Sequence, residues 1–167
     1  MSRLALLLSL VALPAFAQQD FSKVEIRTEK LADTVYMLVG AGGNLGLSVG
    51  EDAVFLVDDD LTPITAKVKE AIGKITPKPV RFVLNTHWHG DHTGGNAAFG
   101  GSGAVILAHD NVRIRLSAAE LEKAKDKVVA KPGAGLPVVT FAQDVTLHLN
   151  GDDVHAFHVP PAHTDGD

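Results

Sequence analysis

Apolar and polar positions alternate along this chain in blocks that predict an α/β fold. Residues 53–57 form an unbroken apolar run, the signature of a buried strand, and 80–84 reads as a second buried strand. Between them Thr62-Pro63 opens a helix, with Thr as cap and Pro at the first position. Its apolar residues Ile64, Val68, Ala71, Ile72 and Ile75 fall at helical spacing, and Pro77 and Pro79 stop it. A strand–helix–strand unit favours parallel pairing with a right-handed crossover. Functional groups in such sheets gather beyond the carboxyl ends of the strands, which points to the segment after Leu84.

The same reading predicts strands over 34–39, 45–49, 104–108, 138–141, 145–149 and 154–159. A second helix is expected over 111–125, and 130–137 reads as a Gly/Pro-rich surface connection. Asn150-Gly151 between two strand patterns is a hairpin turn. The chain then runs through Pro160-Pro161-Ala162-His163-Thr164-Asp165-Gly166 to Asp167.

The N-terminus follows a different logic. Arg3 precedes a ten-residue apolar run over 4–13, and Ala15-Phe16-Ala17 has the small-x-small form of a cleavage site. This predicts a secretory signal over 1–17 and a single domain over 18–167. The run is too short to span a bilayer, which needs about 20 residues. The expected location is therefore periplasmic or secreted, with no membrane association after cleavage.

Composition narrows the chemistry. With 167 residues the chain suits one domain, and a net charge of -5 without Lys/Arg clusters argues against a nucleic-acid partner. It contains no cysteine, so a metal would have to sit on histidines and carboxylates. The run His87-Trp88-His89-Gly90-Asp91-His92 places three imidazoles and a carboxylate within six residues. Chance would produce about 0.0015 such matches in a chain of this composition. In extended chain His87 and His89 face the same way and can chelate one ion. Asp91 and His92 lie past a bend that Gly90 permits; they could serve a second ion, or Asp91 could handle protons. Imidazole plus carboxylate without sulfur suits Zn²⁺, with iron or manganese as alternatives. His163, after a strand end in a Pro/Gly-framed loop, is the expected third ligand of the first site.

Other histidines carry weaker expectations. His109 reads as a helix cap or surface residue; His148, His155 and His158 as solvent-facing or packing residues of the hairpin. Trp88 is expected to pack, pointing away from its histidine neighbours. Asp165 and Asp167 could hydrogen-bond near the loop or face solvent.

The pattern His87-x-His89-x-Asp91-His92 resembles the signature of the metallo-β-lactamase superfamily. The run 161–166 is similar to that family's next motif, Leu56-Val57-Asp58 to its strand-end aspartate, and Gly43-Asn44-Leu45-Gly46 to secreted bacterial members. The resemblance implies an αββα sandwich, of which this chain is the N-terminal portion, incomplete at the C-terminus. It implies that His87, His89 and His163 bind a first zinc and Asp91 and His92 a second, with Asp58 orienting ligands through hydrogen bonds. Metal-bound hydroxide would attack a carbonyl of a β-lactam, lactone or thioester. Two alternatives stand beside this hydrolase: an iron-dependent redox member of the superfamily, and an inactive metal-binding fragment. The partner implied is a small-molecule substrate, and oligomeric state is left open.

Overall fold

A computed structural model describes residues 20–123 and 133–167. The expected signal segment, the end of the second helix and the start of the Gly/Pro-rich connection lie outside the described residues. No described helix is long and apolar enough to cross a membrane.

Seven strands form one mixed sheet in sequence order: β1 (Arg27–Lys30), β2 (Val35–Val39), β3 (Asn44–Val49), β4 (Val54–Val57), β5 (Val80–Leu84), β6 (Val105–His109) and β7 (Val139–Phe141). β1 to β4 pair antiparallel through short turns. β4 to β7 pair parallel, with α1 (Thr65–Ile75) crossing over between β4 and β5 as the helical pattern requires. After β5 come two short helices, α2 (Gly90–Thr93) and α3 (Asn96–Gly100), and α4 (Asp110–Lys123) follows β6. β1 escapes sequence reading because all four of its residues are exposed at the sheet edge, so no apolar alternation marks it.

Alternation along β4 distributes the core over two faces. Val54 and Leu56 point to the face covered by Val68, Ala71 and Ile72 of α1 and Phe99 of α3. Phe55 joins Leu84 and Leu107 on the opposite face. There a second, two-stranded sheet covers them: β8 (Asp144–Leu149) and β9 (Asp152–Phe157), which contribute Leu147, Leu149, Val154 and Ala156. The described residues thus form three layers, helices on sheet on sheet. Each fully buried side chain of Phe55's class contributes about 1.5–3 kcal/mol of apolar transfer energy.

The β8–β9 hairpin turns at Asn150 and Gly151, with φ of 59° and 82°, the left-handed pair that an Asn-Gly turn supplies. Asn150 also ties the two sheets together. Its carboxamide donates to Ala53 O at 3.0 Å and accepts from Ala53 N at 3.2 Å, as a paired strand would. This staple lies at the start of β4. The ends of β4, β5 and β6 are left to carry the histidine loop, as the parallel-sheet rule expects.

Candidate metal centre

The site begins with three consecutive aspartates at the end of β4. Asp58, Asp59 and Asp60 are 3%, 0% and 0% exposed, so none is a solvated turn charge. Asp58 and Asp60 take left-handed backbone conformations, φ 59° and 61°, which Asp tolerates better than most residues. The resulting kinks send the three side chains to different partners.

Asp58 faces the histidine loop. Its Oδ1 accepts from Thr86 N at 2.8 Å. Its Oδ2 accepts from Thr86 Oγ1 at 2.8 Å and lies 2.8 Å from His92 Nδ1. An ionised carboxylate only accepts, so His92 carries a proton on Nδ1 and turns Nε2 toward Asp91. The same reasoning reaches His87 through Thr86. The single Thr86 hydroxyl proton goes to Asp58, so its oxygen accepts from His87 Nδ1, 3.0 Å away. His87 Nε2 then bears a lone pair, and this atom is buried without a hydrogen-bond partner.

Asp59 supports the loop from beneath. Its Oδ1 accepts from Gly95 N at 2.8 Å, and its backbone N–H donates to His92 O at 3.1 Å. Burial raises its carboxyl to about 8, the Gly95 hydrogen bond offsetting only part of that. Asp60 accepts from Leu61 N at 2.7 Å and Gly42 N at 3.0 Å, and burial raises its pKa as well. Gly94 and Gly95 are required because a Cβ on Gly94 would stand 2.4 Å from Thr62 N, and one on Gly95 2.8 Å from Asp59 O.

Behind the loop a closed pair of buried amides fixes its path. Asn85 Nδ2 donates to Asn96 Oδ1 at 3.1 Å, and Asn96 Nδ2 returns a bond to Asn85 Oδ1 at 2.8 Å. Asn85 also reaches His92 O, and Asn96 reaches Gly135 O, each at 3.1 Å.

His87, His89 and His163 offer one ligand atom each, and these atoms lie within 4.8 Å of one another. His89 Nδ1 and His163 Nε2 are 3.0 Å apart. The rings of these three histidines meet edge to face with centroids 4.8–5.0 Å apart. Two nitrogens of a tetrahedral zinc site stand about 3.3 Å apart, given bonds of about 2.0–2.1 Å, and the His89–His163 pair is close to that spacing. His87 is pulled below the usual imidazole range, first by burial and then by His92, so its neutral, ligating form is favoured. His92 is raised, chiefly by its bond to Asp58.

Asp91 and His92 stand beside this trio. His92 lies tilted against His87 with centroids 4.1 Å apart, and its Nε2 is 3.2 Å from Asp91 Oδ2. The β2–β3 turn presses on both: a Cβ on Gly43 would meet His92 Cε1 at 2.5 Å, and one on Gly42 would meet Asp91 Cβ at 2.8 Å.

The remaining expectations meet mixed outcomes. His109 is a cap, accepting from Asn111 N at 3.3 Å, but it is 7% exposed rather than on the surface. Its Nε2 donates to Ala142 O, and its ring stacks on His158 at 3.9 Å. His148 and His155 are exposed on the hairpin. Trp88 lies edge-on to His89, centroids 4.4 Å apart, rather than turned away from it. Neither Asp165 nor Asp167 is simply solvated. Asp165 pairs with Arg115, and Asp167 accepts from His163 N at 2.6 Å and Thr164 N at 2.9 Å. Burial alone would raise the Asp167 carboxyl, but its bonds from Thr164 and His163 hold it at about 2. Sequence reading missed Asp59, the Asn85–Asn96 pair and the Gly42-Gly43 turn as parts of the site, since each acts by burial or close approach.

Comparison with solved structures shows the same fold. A subclass B3 metallo-beta-lactamase of Bradyrhizobium japonicum, BJP-1, superposes with a TM-score of 0.70 at 22% identity, covering 87% of this chain and 56% of that one. The class B3 di-zinc metallo-beta-lactamase LRA-12 from an Alaskan soil metagenome gives 0.69 at 21% identity, covering 93% and 60%. GOB-18 from Elizabethkingia meningoseptica gives 0.71 at 21%, covering 95% and 60%. The chain thus spans little more than half the length of these proteins. The sequence profile of the metallo-beta-lactamase superfamily matches residues 39–167, including every residue of the site, and the chain belongs to that superfamily.

Proposed function

We propose that the intact protein is an exported, zinc-dependent hydrolase that opens a β-lactam, a lactone or a thioester. One observation carries the reading: three imidazoles converge while Asp58 and Thr86 fix the His87 proton on Nδ1, leaving its buried Nε2 a free lone pair. His87, His89 and His163 would hold one ion, and Asp91 and His92 would contribute to a second. LRA-12, a di-zinc protein with the same fold, supports zinc at this donor set. Bound zinc supplies a Lewis acid and a water whose pKa falls to about 7.

This chain's residues do the rest. Asp58 orients His92 directly and His87 through Thr86. Asp91, half-exposed and 3.2 Å from His92 Nε2, would hold and pass a proton as the acyl bond opens. The apolar run over 4–13 with Ala15-Phe16-Ala17 supports export to the periplasm or beyond.

The test is metal content with turnover. The protein should contain zinc and hydrolyse a chromogenic β-lactam, a lactone or a thioester, and His89→Ala should lose both metal and activity. Tightly bound iron with oxygen consumption would overturn the reading in favour of a redox enzyme. Metal binding without turnover of any of the three substrate classes would leave only a binding protein.

A further inference from the structure

We propose that Arg115 and Asn111 on α4 are positioning residues that hold His163 in place to bind metal. The proposal rests on the reading of His87, His89 and His163 as a metal site. His89 sits between β5 and α2, but His163 arrives on a loop 74 positions later and is exposed. Such a ligand needs a fixed backbone, and α4 provides it through three separate contacts on one loop turn.

Asn111 Nδ2 donates to the backbone carbonyl of Asp165 at 2.6 Å. Arg115 donates from Nε and Nη2 to Asp165 Oδ2 at 3.2 and 2.6 Å, the two-point geometry that a guanidinium offers and an ammonium does not. Gly166 lies flush on the same helix: a Cβ there would stand 3.0 Å from Val112 Cγ2 and 3.2 Å from Val112 N. On the other side the Asp167 carboxylate accepts from the backbone N–H groups of His163 and Thr164. The loop that carries the ligand is therefore held at Asp165 and Gly166 by α4 and at His163 itself by Asp167. The Arg115–Asp165 pair is half-exposed, and such pairs contribute little to global stability. Its contribution is to geometry: it fixes where His163 stands.

The test compares zinc and cobalt binding by the chain and its variants, using competition with a chromogenic chelator and the visible spectrum of the Co²⁺ form. Outer partners of metal ligands commonly affect affinity by 10–100-fold, and a half-exposed one belongs at the lower end. Arg115→Ala and Asn111→Ala should each weaken Zn²⁺ binding by about tenfold. Both should also alter the Co²⁺ bands, while the metal-free melting temperature stays within a few degrees of wild type. The charge-swapped pair Arg115→Asp with Asp165→Arg should recover most of the affinity. Should Arg115→Ala not fold, Arg115→Lys decides, with an affinity between the two extremes expected. Wild-type affinity and spectrum in Arg115→Ala or Arg115→Lys would overturn the proposal, as would a charge-swapped pair no better than the single variant. Failure of the metal-site reading looks different. The wild-type chain would then bind neither ion, or His89→Ala would bind as tightly as wild type, and the proposal would fall with that reading.

Discussion

Asp58 Oδ2 and His92 Nδ1 stand 2.8 Å apart, and this one contact fixes a proton on Nδ1. Asp58→Asn keeps the size but puts the choice of proton position in doubt, because an amide can donate where the carboxylate only accepts. Zinc affinity should fall by about 10–100-fold, measured by chelator competition. Nitrogen NMR of the His92 ring should show its Nδ1 losing proton occupancy. Unchanged affinity would remove Asp58 from the metal site.

Asp59 makes stability depend on pH. A carboxyl raised from 3.8 to about 8 is neutral in the folded protein at pH 7 and ionised in the unfolded one. The unfolded state therefore releases its proton first, and stability falls as pH rises from about 4 to about 8 before levelling off. The loss by pH 7 is of order 4 kcal/mol for a shift of this size. Asp59→Asn removes this titration. Denaturant melts of the metal-free protein should show the variant gaining on wild type between pH 5 and pH 8, with a parallel pH dependence ruling the account out.

Asn96→Ala opens the buried amide pair. Asn85 Oδ1 and Gly135 O would each lose a donor inside the fold. One buried and one partly buried acceptor left unpaired should lower stability by about 2–4 kcal/mol. Thermal unfolding measures this, and a change under about 0.5 kcal/mol, the level of an ordinary surface substitution, would contradict it.

Gly94→Ala tests the loop's fit rather than its chemistry. The new methyl would meet backbone at 2.4 Å and 2.6 Å, on Thr62 N and Asp60 O, neither of which can swing aside. Destabilisation of about 3 kcal/mol is expected. The control is Gly90→Ala, where nothing stands within 4 Å of the added atom and the melting temperature should hardly move.

The sequence was most readable where periodicity and chemistry coincide. The strand–helix–strand unit around α1 was legible because β4 is continuously apolar, β5 is apolar but for Arg81, and the helix stripe is regular. His87 and His89 stood out because their density is improbable, and His163 because its loop repeats the same strand-end context; the structure brings the three together. The edge strand β1 and the short helices α2 and α3 carry too few buried residues to leave a pattern. Asp59 and Asp60 resemble turn charges in sequence, and only their burial distinguishes them. The contacts from α4 to Asp165 were invisible for a different reason: they span 54 and 50 positions, and no local spacing encodes them.

The 74 positions between His89 and His163 also bear on how this protein comes to its native state. Closing a loop that long is slow relative to local pairing, and its entropic penalty falls before any contact rewards it. The first two imidazoles share the loop after β5, whereas β6, α4 and the β8–β9 hairpin all lie between them and the third along the chain. An ion held by all three would act as a clasp fastened last. It would speed no early step, and it would slow the opening of the finished molecule.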